Sequence, residues 1–175
     1  MTHDREFTKH GVLTLYTSTD QTDIDLFVKI PLVPATDADA DADPDASTDT
    51  DTAVDTAVDT VGAGVPIKVS QGWLRASHRA EDPEPTSEMR PFHQDTQVEP
   101  LVPGEIHELR VELLPMSFLA RRGRRTRLEI TNQDSLIADA PMTHFYGAKV
   151  GTDAYHHDRT RPSTLRLHER PPTEN

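Results

Sequence analysis

The sequence predicts an all-β fold, a β-sandwich. Three observations point there. No segment sustains an apolar period of 3.6 residues. Several short stretches instead alternate apolar and polar residues with a period of two. Turn-rich loops separate them, and a long crossing such as Glu81 to Pro103 suits a jelly roll better than an up-and-down meander.

The first strand is expected over Gly11 to Ser18, with Leu13 and Leu15 on one face. Thr17 to Thr22 is a polar turn. Ile24 to Val33 follows, with Ile24, Leu26, Val28 and Ile30 on one face and Asp25 and Lys29 on the other, the pattern of a half-buried strand. Patterning resumes over Val65 to Ser77, where Ile67, Val69 and Trp73 are the candidate core residues. Glu105 to Leu114 alternates Leu109, Val111 and Leu113 with Glu108, Arg110 and Glu112, and Pro115 is expected to end it. Arg124 to Thr131 reads as one strand with Thr126, Leu128 and Ile130 on a shared face. Leu165 and Leu167 alternate near the C-terminus, and the tail from 169 is expected to fray. The expected unit is one domain over 7–168, interrupted at 35–64.

That interruption is compositional. Ala35 to Gly64 holds nine aspartates and no lysine or arginine. The chain's formal charge is −12, so everything else sums to −12 + 9 = −3. The tract has no leucine, isoleucine or aromatic residue, and it reads as a disordered acidic loop, because it cannot bury enough apolar area to offset the entropy of ordering it. It lacks the fixed glycine bend and closing glutamate of a calcium loop. Its charge argues against nucleic acid as a partner. There is no cysteine and no apolar run near the ~18 residues a membrane helix needs. No membrane partner is expected. The polar start, Met1 to His10, lacks a signal-like apolar stretch, and the expected location is cytoplasmic.

Candidate sites are few. Ser77 beside His78 suggests half a triad, but neighbours in a strand point to opposite faces, which argues against it. His156 and Asp158 have the two-residue spacing that shares a strand face, yet no third or fourth metal ligand is evident, so no metal and no cofactor is expected. The run Arg121-Arg122-Gly123-Arg124-Arg125 is expected to be a solvated turn with Gly123 at positive φ; a nucleic-acid or nuclear-signal patch, and a turn meeting an acidic partner surface, are the other readings. Trp73 fits the core beside Leu74 and Ile67. As alternatives, Trp73, Tyr146 and Tyr155 are candidate ligand or interface residues.

Five stretches in order carry a resemblance: Gly72-Trp73-Leu74-Arg75-Ala76-Ser77-His78-Arg79; Pro91-Phe92-His93 with Pro100-Leu101-Val102-Pro103-Gly104-Glu105; Leu109 to Leu113 with Pro115-Met116-Ser117; Arg122-Gly123-Arg124-Arg125 through Leu128-Glu129-Ile130; and Tyr155-His156-His157-Asp158 with Pro162-Ser163-Thr164-Leu165. Together they resemble the C-terminal non-catalytic domain of the X-prolyl dipeptidyl-peptidase and cocaine-esterase (CocE/NonD) type of α/β-hydrolase. The likeness covers roughly 7–34 and 65–168. It implies a jelly roll of the galactose-binding-like kind. It also implies structural roles for Gly72, Leu74, Arg75, Ser77, His78, Arg79, Pro103, Gly104, Gly123, His157, Asp158, Pro162 and Ser163.

The sequence departs from the family at two places. The acidic tract replaces a short turn; three doublings of loop length cost about 2 kcal/mol of closure entropy, which a folded domain tolerates. Asp134 to Val150 differs from the family's Pro- and Asn-rich loop. The hydrolase domain that carries the family's Ser-Asp-His triad has no counterpart here, and no serine sits in a Gly-x-Ser-x-Gly elbow. The resemblance therefore implies no catalytic residue in this chain. It implies an accessory domain that packs on a separately encoded α/β-hydrolase domain, or self-associates, and shapes a cleft for acyl esters or X-prolyl peptides. The alternatives are a free-standing binding module for carbohydrate or another ligand, and a truncated remnant.

Overall fold

In a computed structural model, the described residues are 1–33, 66–132 and 151–171. They form eight strands and one short 3₁₀ turn. The strands are β1 (Arg5–Thr19), β2 (Asp25–Val33), β3 (Ile67–Arg75), β4 (His107–Ala120), β5 (Arg125–Thr126), β6 (Glu129–Thr131), β7 (Asp153–His156) and β8 (Thr164–Arg170). Two antiparallel four-stranded sheets result. In the first, β1 pairs β4 on one side and β7 and β8 on the other. In the second, β2 pairs β3 on one side and β5 and β6 on the other.

The period-two faces meet between the sheets. Leu13 and Leu15 of β1, Leu26, Val28 and Ile30 of β2, Leu74 of β3, and Leu109, Val111 and Leu113 of β4 form one buried cluster. Each such side chain contributes roughly 1.5–3 kcal/mol by leaving water. Phe7 and Phe118 are cross-strand partners whose rings stack at 5.2 Å. The acidic tract at 35–64 and the departing stretch at 134–150 lie outside the described residues, as does Tyr146.

Four expectations need correction, and proline explains two. Pro115 does not end β4, which runs on to Ala120. The register moves from Gly11↔Leu113 to Lys9↔Met116, so His10 alone faces Leu114 and Pro115. Proline sits in that bulge, where the ladder asks for no N–H. The single strand expected over Arg124 to Thr131 is two, β5 and β6, both paired with β2. The register on either side of the break is the same, and the gap falls opposite Pro31. Pro31 still accepts from Arg127 N–H at 3.0 Å but has no N–H to return. Leu128, expected on one strand face with Thr126 and Ile130, lies in this gap and is exposed. Finally, Glu169 and Arg170 do not fray; they pair with Phe7 and Glu6. β2 is also buried on both faces rather than one, with Lys29 and Phe27 enclosed.

The long loop from Arg79 to Pro103 is fastened to the outer side of β4. Arg110 Nη1 donates to Glu81 at 2.8 Å and its Nη2 to the carbonyls of Ser87 and Glu88. Arg90 Nε donates to Glu112 at 3.0 Å. Val12, between Glu112 and Arg166 in register, is buried on this outer side, where Arg90 and Glu88 of the loop reach those two residues. Among the described residues no helix is long and apolar enough to cross a membrane.

Candidate functional site: a groove at the open corner of the sandwich

The edge strands β3 and β4 meet at one corner of the two sheets. Ser70 Oγ donates to the Leu114 carbonyl at 2.8 Å. Two residues on, β3 comes so close to β4 that only glycine fits: a Cβ on Gly72 would stand 2.0 Å from the Glu112 oxygen. The Gly72 Cα–H faces that oxygen instead, a weak C–H···O contact. Beyond the crossing the strand edge and the long loop part. They leave a groove of about 470 Å³ lined by Gly72, Trp73, Leu74, Arg75, His78, Pro91, Phe92, His93, Asp95, Glu112 and Leu114.

The stretch Gly72 to Arg79 builds one wall. Leu74 and Ala76 enter the core. Arg75 faces its cross-strand partner Asp25, with Nε to Oδ1 at 2.8 Å. Ser77 lies in the 3₁₀ turn Ala76–His78, not in a strand as expected. It is buried, and Asp23 takes both its N–H at 2.9 Å and its hydroxyl at 3.0 Å. His78 Nδ1 approaches Asp95 at 3.3 Å. Arg79 donates to the Ala76 carbonyl at 3.2 Å and pairs with Glu99 at 3.4 Å. Ser77 and His78 therefore have separate acidic partners and do not form a nucleophile–base pair. The opposite wall is set by His93, whose ring lies between two carbonyls, Arg110 at 2.9 Å from Nε2 and Arg79 at 3.3 Å from Nδ1.

Trp73 is the main surprise. It is 47% exposed and belongs to the groove, not the core. Its neighbours Gly72 and Leu74 are the inward-facing ones, so the strand's alternation turns Trp73 outward. Phe92 and Leu114 are exposed beside it at 44% and 41%. Tyr155 is elsewhere, on β7 opposite Thr17 in the other sheet. Its phenol is pushed up by burial and, to a lesser degree, by Asp153. The structure therefore does not gather Trp73 and Tyr155 into one site.

The remaining candidates occupy turns. Pro103 and Gly104 are the central residues of a turn closed by Glu105 N–H to the Val102 carbonyl at 3.0 Å, with Gly104 at φ +82°. Gly123 takes the same place between Arg121 and Arg124, at φ +84°. Asp158 accepts from the Thr160 hydroxyl, the Thr160 N–H and the Arg161 N–H, which hold its carboxyl down at about 2. His157 is exposed, and Pro162 follows the turn. Ser163 Oγ donates to the His156 carbonyl at 2.7 Å and accepts from Tyr16 N–H at 3.1 Å. His156 does not join Asp158: its Nε2 lies 2.9 Å from Ser18 Oγ. No local motif announced this pair. Among the described residues no carboxylate hydrogen-bonds the other His156 nitrogen, so the pair lacks the third group that orients a catalytic imidazole. No group of three or more potential metal ligands occurs among the described residues.

Comparison with known proteins agrees with this architecture. Two mycobacterial relatives named as serine esterases, from Mycobacterium bovis and Mycobacterium tuberculosis, are each 34% identical over 91 residues; the match covers 47% of this chain and 14% of theirs. The chain thus corresponds to a small fraction of those relatives. A crystal structure of a CocE/NonD family hydrolase from Staphylococcus aureus superposes with a TM-score of 0.70 at 22% identity, covering 95% of this chain and 29% of that one. An aminopeptidase from a marine-sediment Thaumarchaeota archaeon gives a TM-score of 0.63 at 17% identity, covering 98% of this chain and 24% of its own. At such identities the likeness establishes the fold. The family described as the X-Pro dipeptidyl-peptidase C-terminal non-catalytic domain matches residues 3–166, nearly the whole of both sheets, and the chain belongs to that family.

Proposed function

We propose that this chain is the accessory domain of a serine hydrolase, docking on a separate α/β-hydrolase domain and shaping its substrate cleft. The observation that carries the reading is the family match over residues 3–166, in a fold where the candidate nucleophile Ser77 is committed to Asp23. By analogy with the serine-esterase and CocE/NonD relatives, the substrates of the assembled enzyme are acyl esters or X-prolyl peptides.

A docking domain needs apolar surface, and one end of the sandwich supplies it. Val98, Val102 and Ile106 are exposed at 64%, 50% and 37% on the loop before β4. Val102 N–H reaches His107 Nε2 at 3.4 Å, and His107, Thr17 and Tyr155 follow one another in register across the sheet. Exposed apolar residues gathered in this way support an interaction face.

The test is kinetic and hydrodynamic. The purified chain is expected to turn over neither p-nitrophenyl esters nor X-prolyl p-nitroanilides. It is expected to self-associate weakly and to bind a hydrophobic dye. Saturable turnover by the chain alone would overturn the non-catalytic part, and a clean monomer without dye binding would overturn the docking part.

A further inference from the structure

The groove has a feature that the accessory role does not use. Ala76 N–H donates to the Ile24 carbonyl at 2.9 Å, which makes Ala76 and Ile24 a hydrogen-bonded pair of the β2–β3 ladder. Hydrogen-bonded pairs recur every second residue in an antiparallel ladder. Leu74 and Gly72 therefore spend their backbone groups on β2, while Trp73 points its N–H and C=O the other way. Among the described residues no strand forms a ladder with that side of β3, because β3 ends its sheet and β4 only crosses it at Gly72.

A bare edge of this kind is a template for another strand, and proteins usually blunt it with charge, proline or a covering loop. Here the loop stands off and leaves the groove. Its floor follows Gly72 to Arg75, about 10 Å of strand at 3.3 Å per residue. Trp73, Phe92 and Leu114 offer an apolar seat, and Asp95, which His78 approaches from one side, keeps a carboxylate that is 74% exposed.

We propose that this groove binds an extended peptide segment of another protein, which pairs with the free edge of β3 at Trp73. The segment carries a large apolar side chain for the seat, and two residues along, on the same face, a lysine or arginine for Asp95. Main-chain bonds to Trp73 hold the strand, and the alternate side chains select it. The proposal stands independently of the accessory-domain reading, since it concerns a different part of the surface.

Trp73 is the only tryptophan, so its fluorescence reports this groove alone. The probe is the peptide acetyl-Thr-Phe-Thr-Lys-Thr-amide, titrated into the full chain. Two controls are N-methylated at alternate residues, one in each phase; one phase removes the N–H groups that would face β3 and leaves every side chain unchanged. Mannohexaose and cellohexaose are titrated in parallel. A saturable Trp73 shift is expected with the unmodified peptide, together with at least tenfold weaker binding of one methylated phase. Phe92→Ser, in the loop wall, is expected to weaken binding by a similar factor while leaving the unfolding midpoint in place. No saturable shift up to millimolar peptide overturns the proposal. So does equal binding of both methylated phases, which would make the contact one of side chains only. A saturable shift with either saccharide and none with the peptide overturns it in favour of a sugar site.

Discussion

Gly72 and Glu112 touch through backbone alone: the carbonyl of one meets the Cα–H of the other at the corner where the two sheets join. Gly72→Ala places a methyl 2.0 Å from that oxygen, and neither backbone can yield without parting β3 from β4. The expected cost is at least about 3 kcal/mol in urea unfolding, at the severe end for one methyl. Gly104→Ala is the contrast. Nothing stands within 4 Å of its Cβ position, so only the positive φ is penalised. That cost is about 1 kcal/mol. Similar losses at the two positions would contradict the close approach at Gly72.

Lys9 holds φ +66° in the middle of β1, at the edge of the bulge that holds Pro115. A left-handed backbone costs a non-glycine residue roughly 1–2 kcal/mol, and glycine's extra chain entropy returns roughly 0.5–1. Lys9→Gly is therefore expected to stabilise the fold by about 0.5–1 kcal/mol. Thr8→Gly, one residue away in ordinary strand geometry, is expected to destabilise it. Denaturant midpoints of the two variants decide the matter; a loss in both would remove the strain argument.

The Asp158 turn gives a pH prediction. Its carboxyl is held at about 2, below the ordinary 3.8, first by the Thr160 hydroxyl and then by the Thr160 N–H. A depressed carboxylate contributes its stabilisation above its unfolded value and loses it as pH falls through the folded one. The turn should thus stay intact at pH 4 and open as pH falls toward about 2. A carboxyl-carbon NMR titration of Asp158 is the measurement, and a midpoint near 4 would contradict the assigned bonds.

Val102→Asp combined with Ile106→Asp is expected to abolish dye binding and self-association. Both side chains are exposed, so the unfolding midpoint should move little. Unchanged sedimentation with unchanged dye binding would place the docking face elsewhere.

Much of the fold was legible because the strands wear their period openly. Leu109, Val111 and Leu113 alternate with charge, and all three are buried. Proline was the weak point. A proline reads as a strand end, yet Pro115 sits inside β4 because it falls in a bulge of that strand opposite His10, and bulges have no sequence mark of their own. Pro31 was passed over as an ordinary strand member, although its missing N–H divides the neighbouring strand in two. Trp73 was misplaced because size and hydrophobicity argued for the core, whereas the flanking Gly72 and Leu74 hold the inward positions. Counting in twos from Leu74 was the signal available. Ser77 and His78 were correctly separated but for the wrong reason, since a 3₁₀ turn, not a strand, parts them. The groove itself was not legible, because one wall comes from a loop whose position depends on Arg110 and Glu81, 29 residues apart.

Strand β1 has partners only in distant sequence: β4 on one side, β7 and β8 on the other. Ser18 and His156, neighbours across that sheet, are 138 residues apart. A ribosome adding about 5–20 residues per second takes roughly 10–30 s to cover the distance. For most of that interval Leu13 and Leu15 have no flanking strand; β4 (His107–Ala120) arrives late in it, and β7 and β8 only at its end. The nascent chain therefore carries an unpaired, apolar strand for most of its synthesis, and the sheet built on β1 closes late. A cell making this domain has to shield that one strand for many seconds, whatever the finished protein does.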